Sequence, residues 1–172
     1  LMPDLPRTGD YFEVAQAVAV LAKKNGYTDL VLGWPEADIT HFNDGGVFVY
    51  SAGPKGLASE AAQGVHGAGQ EERFGFAVAA GDLGGDGVPE LIVGAPLADA
   101  GAGDAGQVLV FARDAKTGLF DEKPKRALIG PFGADQFGTS VAVCDFNGDG
   151  WLDLAVGTPA GEDRDLVPQM AD

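Results

Sequence analysis

One nine-residue segment places oxygen-bearing side chains at its first, third, fifth and ninth positions: Asp145, Asn147, Asp149 and Asp153. Hard cations such as Ca²⁺ bind about six to eight oxygen ligands, so carboxylates and amides at alternate positions suit such an ion. Gly150, at the sixth position, permits a sharp turn, and the carbonyl of Trp151 at the seventh offers a further oxygen. The sequence therefore predicts a calcium-binding loop in which Asp145, Asn147, Asp149, Asp153 and the Trp151 carbonyl are the ligands.

The residues that flank this loop favour strands. An EF-hand loop ends in a bidentate Glu at its twelfth position and lies between two helices. Val156 occupies the twelfth position here, and the segments on either side, 139–143 and 152–156, are rich in small and β-branched residues. We therefore expect a calcium loop between two strands.

A second loop repeats the pattern with one ligand fewer. Asp82, Asp86 and Glu90 occupy the first, fifth and ninth positions, and Val88 offers its carbonyl at the seventh. Gly84 replaces the amide ligand, so we expect this calcium site to be the weaker of the two. Mg²⁺ is less suitable for either loop, because it demands near-octahedral geometry and gives up its waters reluctantly. An alternative interpretation remains for both loops, since Asp and Asn also cap backbone groups in metal-free turns.

The loops belong to a longer internal repeat. Gly33, Gly94 and Gly157 are 61 and then 63 residues apart, and the pairs Phe74-Gly75 and Phe137-Gly138 are again 63 apart. The earliest copy, around residues 25–35, lacks the early acidic residues and follows two lysines. We predict that this copy binds no metal and that a lysine ammonium takes the place of the cation.

Phe-Gly, a loop of the D-x-N-x-D-G-x-x-D type and a Gly-x-Pro segment (Gly-Ala-Pro at 94–96 and Gly-Thr-Pro at 157–159) recur in this order, and the combination resembles the FG-GAP repeats of integrin α-subunit β-propellers. Similar repeats occur in glycosylphosphatidylinositol-specific phospholipase D and in many bacterial surface proteins. The resemblance extends over residues 11–160. It implies an all-β fold built from propeller blades, each a four-stranded antiparallel sheet. The resemblance further implies the arrangement found in integrins, in which the ions lie on one face of the propeller and partners bind the opposite face.

The repeat spacing divides the chain into a lead-in or linker, 1–10, and a propeller segment, 11–172. Within that segment we expect blade-like repeats at 11–73 and 74–136 and an incomplete one at 137–172, or about two and a half blades. The other blades of the propeller are expected from a longer chain or from a second chain, because repeat arrays must cover their terminal faces.

Composition agrees with an extracellular module. The net charge of −15 argues against nucleic-acid binding. No apolar stretch reaches the ~18 residues that favour a membrane span. We expect a secreted, periplasmic or cell-surface protein. The lone cysteine, Cys144, is expected to be a small buried residue on a strand.

The sequence contains no arrangement that singles out a catalytic residue. Residues 101–106 satisfy G-x-G-x-x-G, but a strand follows them, so we interpret them as a loop. We predict a non-catalytic module for protein or glycan interaction, or adhesion, with the divergent loops 35–46 and 96–106 as candidate contacts. An exposed Trp34 is a further candidate contact, whereas Phe42 and Phe132 are expected to pack within blades. The alternative is an accessory propeller domain of a secreted enzyme similar to glycosylphosphatidylinositol-specific phospholipase D.

Overall fold

The computed structural model describes residues 17–22 and 26–159. Within these residues the secondary structure consists of twelve strands. The strands are β1 (Ala17–Ala22), β2 (Thr28–Trp34), β3 (Gly46–Tyr50), β4 (Ala52–Gly53), β5 (Gly56–Leu57), β6 (Gln63–His66), β7 (Ala77–Gly81), β8 (Glu90–Ala95), β9 (Gln107–Phe111), β10 (Arg126–Ile129), β11 (Ser140–Cys144) and β12 (Asp153–Gly157). No helix with the length and apolarity needed to cross a membrane occurs in this part of the chain.

The strands form blade-like sheets. β1-β2-β3-β6 is a four-stranded antiparallel sheet, β7-β8-β9-β10 is a second, and β11-β12 is a two-stranded sheet. This architecture confirms the all-β prediction of propeller blades and a partial propeller. We call the three sheets the first, second and third blades. The lead-in 1–10, the two lysines of the first loop and the end of the third repeat, 160–172, lie outside the described residues.

The strand register makes the three blades equivalent position by position. Gly33 pairs with Ala17, Gly94 with Ala77 and Gly157 with Ser140, so the repeated glycine always lies opposite the start of the blade's first strand. The 61- and 63-residue spacings of the sequence thus correspond to one structural position.

Apolar side chains between the blades form the core. One cluster joins the first and second blades through residues such as Leu21, Val31, Leu91 and Phe111. A second cluster joins the second and third blades and includes Ile92, Val108, Val110, Val141, Val143, Leu154 and Val156. The alternation of side chains along each strand allows the second blade to contribute to both clusters.

The Phe-Gly and Gly-Ala-Pro motifs meet at the contact between blades. Gly75 and Gly138 have φ angles of 92° and 96°, a region that favours glycine. Their carbonyls lie against the Cα atoms of Gly33 and Gly94 of the preceding blade, where a Cβ would collide with backbone. Their N–H groups donate to Gly94 and Gly157 of their own blade, both at 3.1 Å. The motifs are therefore a packing device that sets the spacing of successive blades.

Several side-chain expectations were wrong. Cys144 is exposed, because β11 alternates and turns Ser140, Ala142 and Cys144 away from the second blade. Trp34 is buried, with 4% of its surface exposed, and packs edge-on against Phe48.

Two aromatic residues also depart from expectation. Phe42 is 56% exposed and Phe132 is 53% exposed, so neither is enclosed within a blade. Both lie in connections between strands, Phe42 between β2 and β3 and Phe132 between β10 and β11, so neither has a place in the packing of a strand face.

Candidate metal-binding loops and the opposite loop edge

Both candidate metal loops lie at the same edge of the sheets. Residues 82–89 connect β7 to β8 and residues 145–152 connect β11 to β12, which are the first two strands of their blades. In an antiparallel sheet, the next connection lies at the opposite edge. The loops 35–45 and 96–106, which connect the second and third strands, are therefore separated from the metal loops by the length of the strands.

In the third blade, Asp145 organises the loop. Its Oδ1 accepts hydrogen bonds from the N–H groups of Gly148 and Asp149, at 2.7 and 3.1 Å, and its Oδ2 accepts one from Gly150 at 2.9 Å. The φ angles of Gly148 and Gly150 are 77° and 89°, so both glycines serve the turn directly. The loop is therefore a tight turn in which three backbone N–H groups bind one carboxylate.

The other predicted ligands of this loop are also brought together. Asn147 Nδ2 donates to Asp149 Oδ2 at 3.0 Å, and Asp149 Oδ1 accepts from the Trp151 N–H at 2.8 Å. Asp153 Oδ2 accepts from the Phe146 N–H at 3.0 Å. Every side chain of the predicted set thus takes part in the hydrogen bonding of the same short loop.

The second blade repeats this arrangement. Asp82 accepts from the N–H groups of Asp86 and Gly87 at 3.0 and 2.6 Å. Asp86 Oδ1 accepts from the Val88 N–H at 2.8 Å, and Glu90 Oε2 accepts from the Leu83 N–H at 3.0 Å. A Cβ at Gly84 would lie 3.3 Å from Glu90 Oε1, so the position of the missing ligand faces the same carboxylates.

The donor sets have the chemistry of a hard-cation site, but the side chains are arranged for hydrogen bonding. Across residues 17–22 and 26–159, no three His, Cys, Asp or Glu side chains converge closely enough to hold a metal ion. The carboxylates of the third loop are partly or fully exposed, so they are free to rotate toward a cation. All-oxygen ligation by three carboxylates and an amide suits Ca²⁺. The same hydrogen bonds from backbone N–H groups to carboxylates are also expected for acidic turns that bind no metal.

A cationic side chain beside the second loop was not anticipated from the sequence. Lys125 Nζ lies 3.3 Å from Glu90 Oε1, although the two residues are 35 positions apart. The Glu90 side chain is 6% exposed, whereas that of Lys125 is 52% exposed. No sequence spacing indicates this pair, because it depends on the third and fourth strands folding back to the edge that carries the loop.

The first blade has a cation from its neighbour at the corresponding place. Asp29 is opposite Leu21 in the register, just as Glu90 is opposite Gly81 and Asp153 opposite Cys144. Arg113 Nη2, from the second blade, lies 2.9 Å from Asp29 Oδ2, and the two side chains are 7% and 1% exposed. The lysines predicted to replace the cation in this loop lie outside the described residues. Within the described residues, Arg113 is the cationic side chain that pairs with Asp29.

A cavity of about 390 Å³ opens at the same edge between the first and second blades. Asp29 and Arg113 line it, together with Gln63, Val88 and Lys116. Gln63 also pairs with the backbone of Phe120, donating to its carbonyl and accepting from its N–H, both at 2.7 Å. The Gln63–Phe120 hydrogen bonds and the Asp29–Arg113 ion pair therefore join the two blades at this cavity.

At the opposite edge, Asp44 holds the loop before β3. Its carboxylate accepts hydrogen bonds from the N–H groups of Ile39, Thr40 and His41 and from the Thr40 hydroxyl, at 2.6 to 3.1 Å. Burial acts to raise the pKa of Asp44, but these hydrogen bonds stabilise the charged form and leave the pKa below its ordinary value. The loop so fixed exposes Ile39 and Phe42, which are 41% and 56% exposed.

Comparison with known proteins places these features in a family. The FG-GAP repeat model matches residues 74–111 and 137–165. The chain is 41% identical over 96 residues to integrin alpha-PS5 of Drosophila melanogaster, covering 55% of this chain and 9% of that protein. It is 42% identical over 93 residues to integrin alpha-E of Mus musculus, covering 50% of this chain and 8% of that protein.

A relative of a different kind matches equally well. Phosphatidylinositol-glycan-specific phospholipase D of Homo sapiens is 40% identical over 96 residues, which cover 51% of this chain and 11% of that protein. The chain thus spans about a tenth of the length of the curated relatives it matches.

Proposed function

Because this chain belongs to the FG-GAP repeat family, we propose that it is a non-catalytic, calcium-stabilised propeller module for protein or glycan interaction or adhesion. The observation that carries this proposal is the division of labour between the two edges of the blades. Acidic loops with all-oxygen donor sets occupy one edge, and the other edge includes a firmly held loop, 35–45, that exposes Ile39 and Phe42. The first arrangement suits a structural ion, and the second suits a partner.

The calcium ligands in this proposal are those of the two loops. In the third blade they are Asp145, Asn147, Asp149, Asp153 and the Trp151 carbonyl. In the second blade they are Asp82, Asp86, Glu90 and the Val88 carbonyl. A bound cation offsets the repulsion among carboxylates that the short loops bring together, and it holds the two flanking strands in register. We expect the third loop to bind more tightly.

A calorimetric titration with CaCl₂ after chelator treatment tests the metal part of the proposal. Extracellular calcium modules bind with dissociation constants of about 10⁻⁴–10⁻³ M. Asp149→Ala should abolish the tighter site, because it removes a ligand while Asp145 continues to cap the turn. Asp121→Ala removes an exposed carboxylate elsewhere and should leave both sites unchanged. A wild-type chain that takes up no Ca²⁺ at millimolar concentration would contradict the proposal.

The partner surface in this proposal consists of the loops 35–46 and 96–106. Ile39 and Phe42 are large apolar side chains that solvent reaches, and the Asp44 hydrogen bonds hold their backbone in place. Preorganised loops lose little entropy on binding, and exposed aromatic side chains are frequent anchors of protein interfaces. The chemistry of this edge therefore favours a protein partner or the apolar face of a sugar ring.

Binding of the chain to a glycan array and to a displayed library of secreted proteins tests the surface. Phe42→Ser should reduce the signal of the bound probes at least tenfold, the effect of losing an interface anchor. Leu119→Ser is the matched control, because Leu119 is 44% exposed but belongs to a turn at the metal-loop edge. Equal loss in both variants, or binding that survives Phe42→Ser, would contradict the assignment of the surface.

A second candidate function is an accessory propeller domain of a secreted enzyme. The similarity to phosphatidylinositol-glycan-specific phospholipase D favours it. On this view catalysis belongs to another part of the full protein, and the isolated chain has no phospholipase activity. The gene sequence upstream of Leu1 discriminates the two: a zinc-binding catalytic domain supports the accessory role, and a secretion signal or more repeats supports the interaction module. Both candidates place the protein outside the cytoplasm, secreted, periplasmic or on the cell surface.

A further inference from the structure

Three equivalent carboxylates define the feature from which this inference starts. Asp29, Glu90 and Asp153 each begin or nearly begin the second strand of a blade and pair with the end of the first strand. Asp29 and Glu90 are buried, with 1% and 5% of their surfaces exposed, whereas Asp153 is partly exposed. A buried carboxylate requires a compensating charge or several hydrogen bonds, so the first two positions carry the greater electrostatic demand.

The compensating charges come from the chain itself. Asp29 has Arg113 at 2.9 Å and Glu90 has Lys125 at 3.3 Å. Asp153 accepts a hydrogen bond from Phe146, and no ion pair joins it to any side chain of the described ranges. The two buried carboxylates therefore each have a cationic partner, and the partly exposed one has none among the described residues.

The blades obtain their cations from different positions. Lys125 and Ala62 are equivalent, because their N–H groups donate to Val110 and Val49 at 2.8 and 2.7 Å at corresponding places. The first blade has only a methyl group at this position, and Arg113 reaches across from the second blade instead. Exposure also differs: the Arg113 side chain is 7% exposed and that of Lys125 is 52% exposed.

We propose that Arg113 and Lys125 are built-in counter-cations, Arg113 permanently holding Asp29 and Lys125 holding Glu90 until a divalent cation displaces it. Arg113 also donates through Nε to the Gly118 carbonyl at 2.8 Å and lies over the Phe120 ring, so it is fixed on several sides. Lys125 has a half-exposed, flexible side chain, so water can solvate its ammonium when it leaves Glu90.

This inference rests on the proposed calcium function of the second loop and adds a competitor to it. Ca²⁺ and the Lys125 ammonium would share the Glu90 carboxylate, so binding of the ion includes the cost of separating that ion pair. The third loop has no such competitor among the described residues. Lys125 is thus a determinant of the affinity difference between the sites, separate from the ligand lost at Gly84.

The test combines calcium titration with a metal-free measurement on Lys125→Gln. The variant should bind Ca²⁺ about fivefold more tightly at the weaker site, the effect of removing one partly exposed ion pair, and equally well at the tighter site. Lys123→Gln is the matched control, since it makes the same change in charge at an exposed residue two positions away. Unchanged affinity, or an equal rise in both lysine variants, would overturn the competition.

The metal-free arm keeps this inference separate from the calcium function. In chelator, a double-mutant cycle of Lys125→Gln and Glu90→Gln should show that the two substitutions destabilise by less together than the sum of their separate effects. Additive effects would overturn the counter-cation role. Coupling in chelator with no Ca²⁺ uptake by either loop of wild type or variant would overturn the displacement step and the calcium function while leaving the ion pair established.

Discussion

Arg113 of the second blade and Asp29 of the first form a buried ion pair, with Nη2 and Oδ2 2.9 Å apart. The pair connects the two sheets at the edge where the second and third blades carry their acidic loops. Asp29 Oδ1 also accepts from the Ala52 N–H at 2.8 Å, so the carboxylate is bonded on both oxygens. The buried carboxylate of the first blade is therefore neutralised by an arginine of the second blade, and the stability of the first blade depends on the second.

Removal of Arg113 should be costly. Arg113→Met retains an apolar side chain of similar length but leaves Asp29 as an uncompensated buried charge, for which we expect a loss of about 3–5 kcal/mol in the free energy of unfolding. Urea denaturation measures the loss. Addition of Asp29→Asn to this variant should recover part of it, because the unpaired charge disappears. Lys116→Met, an exposed neighbour in the same cavity, should change stability little, and a comparable loss there would argue against the ion pair.

The glycines between blades provide a second, metal-independent prediction. A Cβ at Gly94 would collide with the Gly138 carbonyl of the third blade, whereas a Cβ at Gly157 would meet only the Ser140 hydroxyl. Gly94→Ala should therefore lower the free energy of unfolding by about 1–3 kcal/mol, as overpacking does. Gly157→Ala should cost much less, since a serine side chain can rotate. Thermal unfolding of both variants checks the difference, and equal losses would show that blade contact is not the reason for the glycine.

Much of this fold could be predicted from the sequence, because repetition reinforces each local signal. The strand pairs on either side of the acidic loops follow from apolar runs rich in β-branched residues, such as Leu91–Val93, and the 63-residue spacing assigns them to equivalent blades. The hydrogen-bonded loops are local, so residue spacing also brings Asp145, Asn147 and Asp149 together.

Contacts between distant positions could not be predicted in this way. Lys125 and Glu90 meet only because the third strand of the blade returns the chain to the edge where the acidic loop lies, and Arg113 meets Asp29 across two blades. Exposure of Cys144 likewise depends on which face of β11 packs against the second blade, and the sequence of the strand alone does not identify that face. The assignment of the loops to calcium remains a prediction, since the same carboxylates satisfy backbone N–H groups.

Restoration of the missing ligand should strengthen the weaker calcium site. A side chain at Gly84 would point toward Glu90 Oε1 and Asp82 Oδ1, at 3.3 and 4.0 Å from its Cβ. Gly84→Asn should tighten binding roughly tenfold, because one more oxygen ligand replaces a water. Gly84→Ala is the control: it adds a Cβ at the same position but supplies no ligand oxygen. A calorimetric titration in which both variants behave alike would contradict the ligand assignment.

Acid should weaken the chain through Asp44. Hydrogen bonds from Ile39, Thr40 and His41 outweigh the effect of burial and hold the pKa of Asp44 below its ordinary value. A carboxylate with a lowered folded-state pKa contributes stability that is fully present above the unfolded-state pKa and is lost as the pH falls through the folded-state pKa. We therefore expect the free energy of unfolding to fall below about pH 4.

Asp44→Asn isolates this contribution. At neutral pH the variant should be less stable by about 1–3 kcal/mol, because an amide nitrogen replaces one of the accepting oxygens within the loop. At low pH the difference from wild type should shrink, since the wild-type carboxyl is then neutral as well. Asp121→Asn makes the same change in charge at an exposed site and should leave the pH profile close to that of wild type. Urea unfolding between pH 3 and 7 measures all three proteins, and parallel profiles for Asp44→Asn and wild type would show that Asp44 does not set the acid sensitivity.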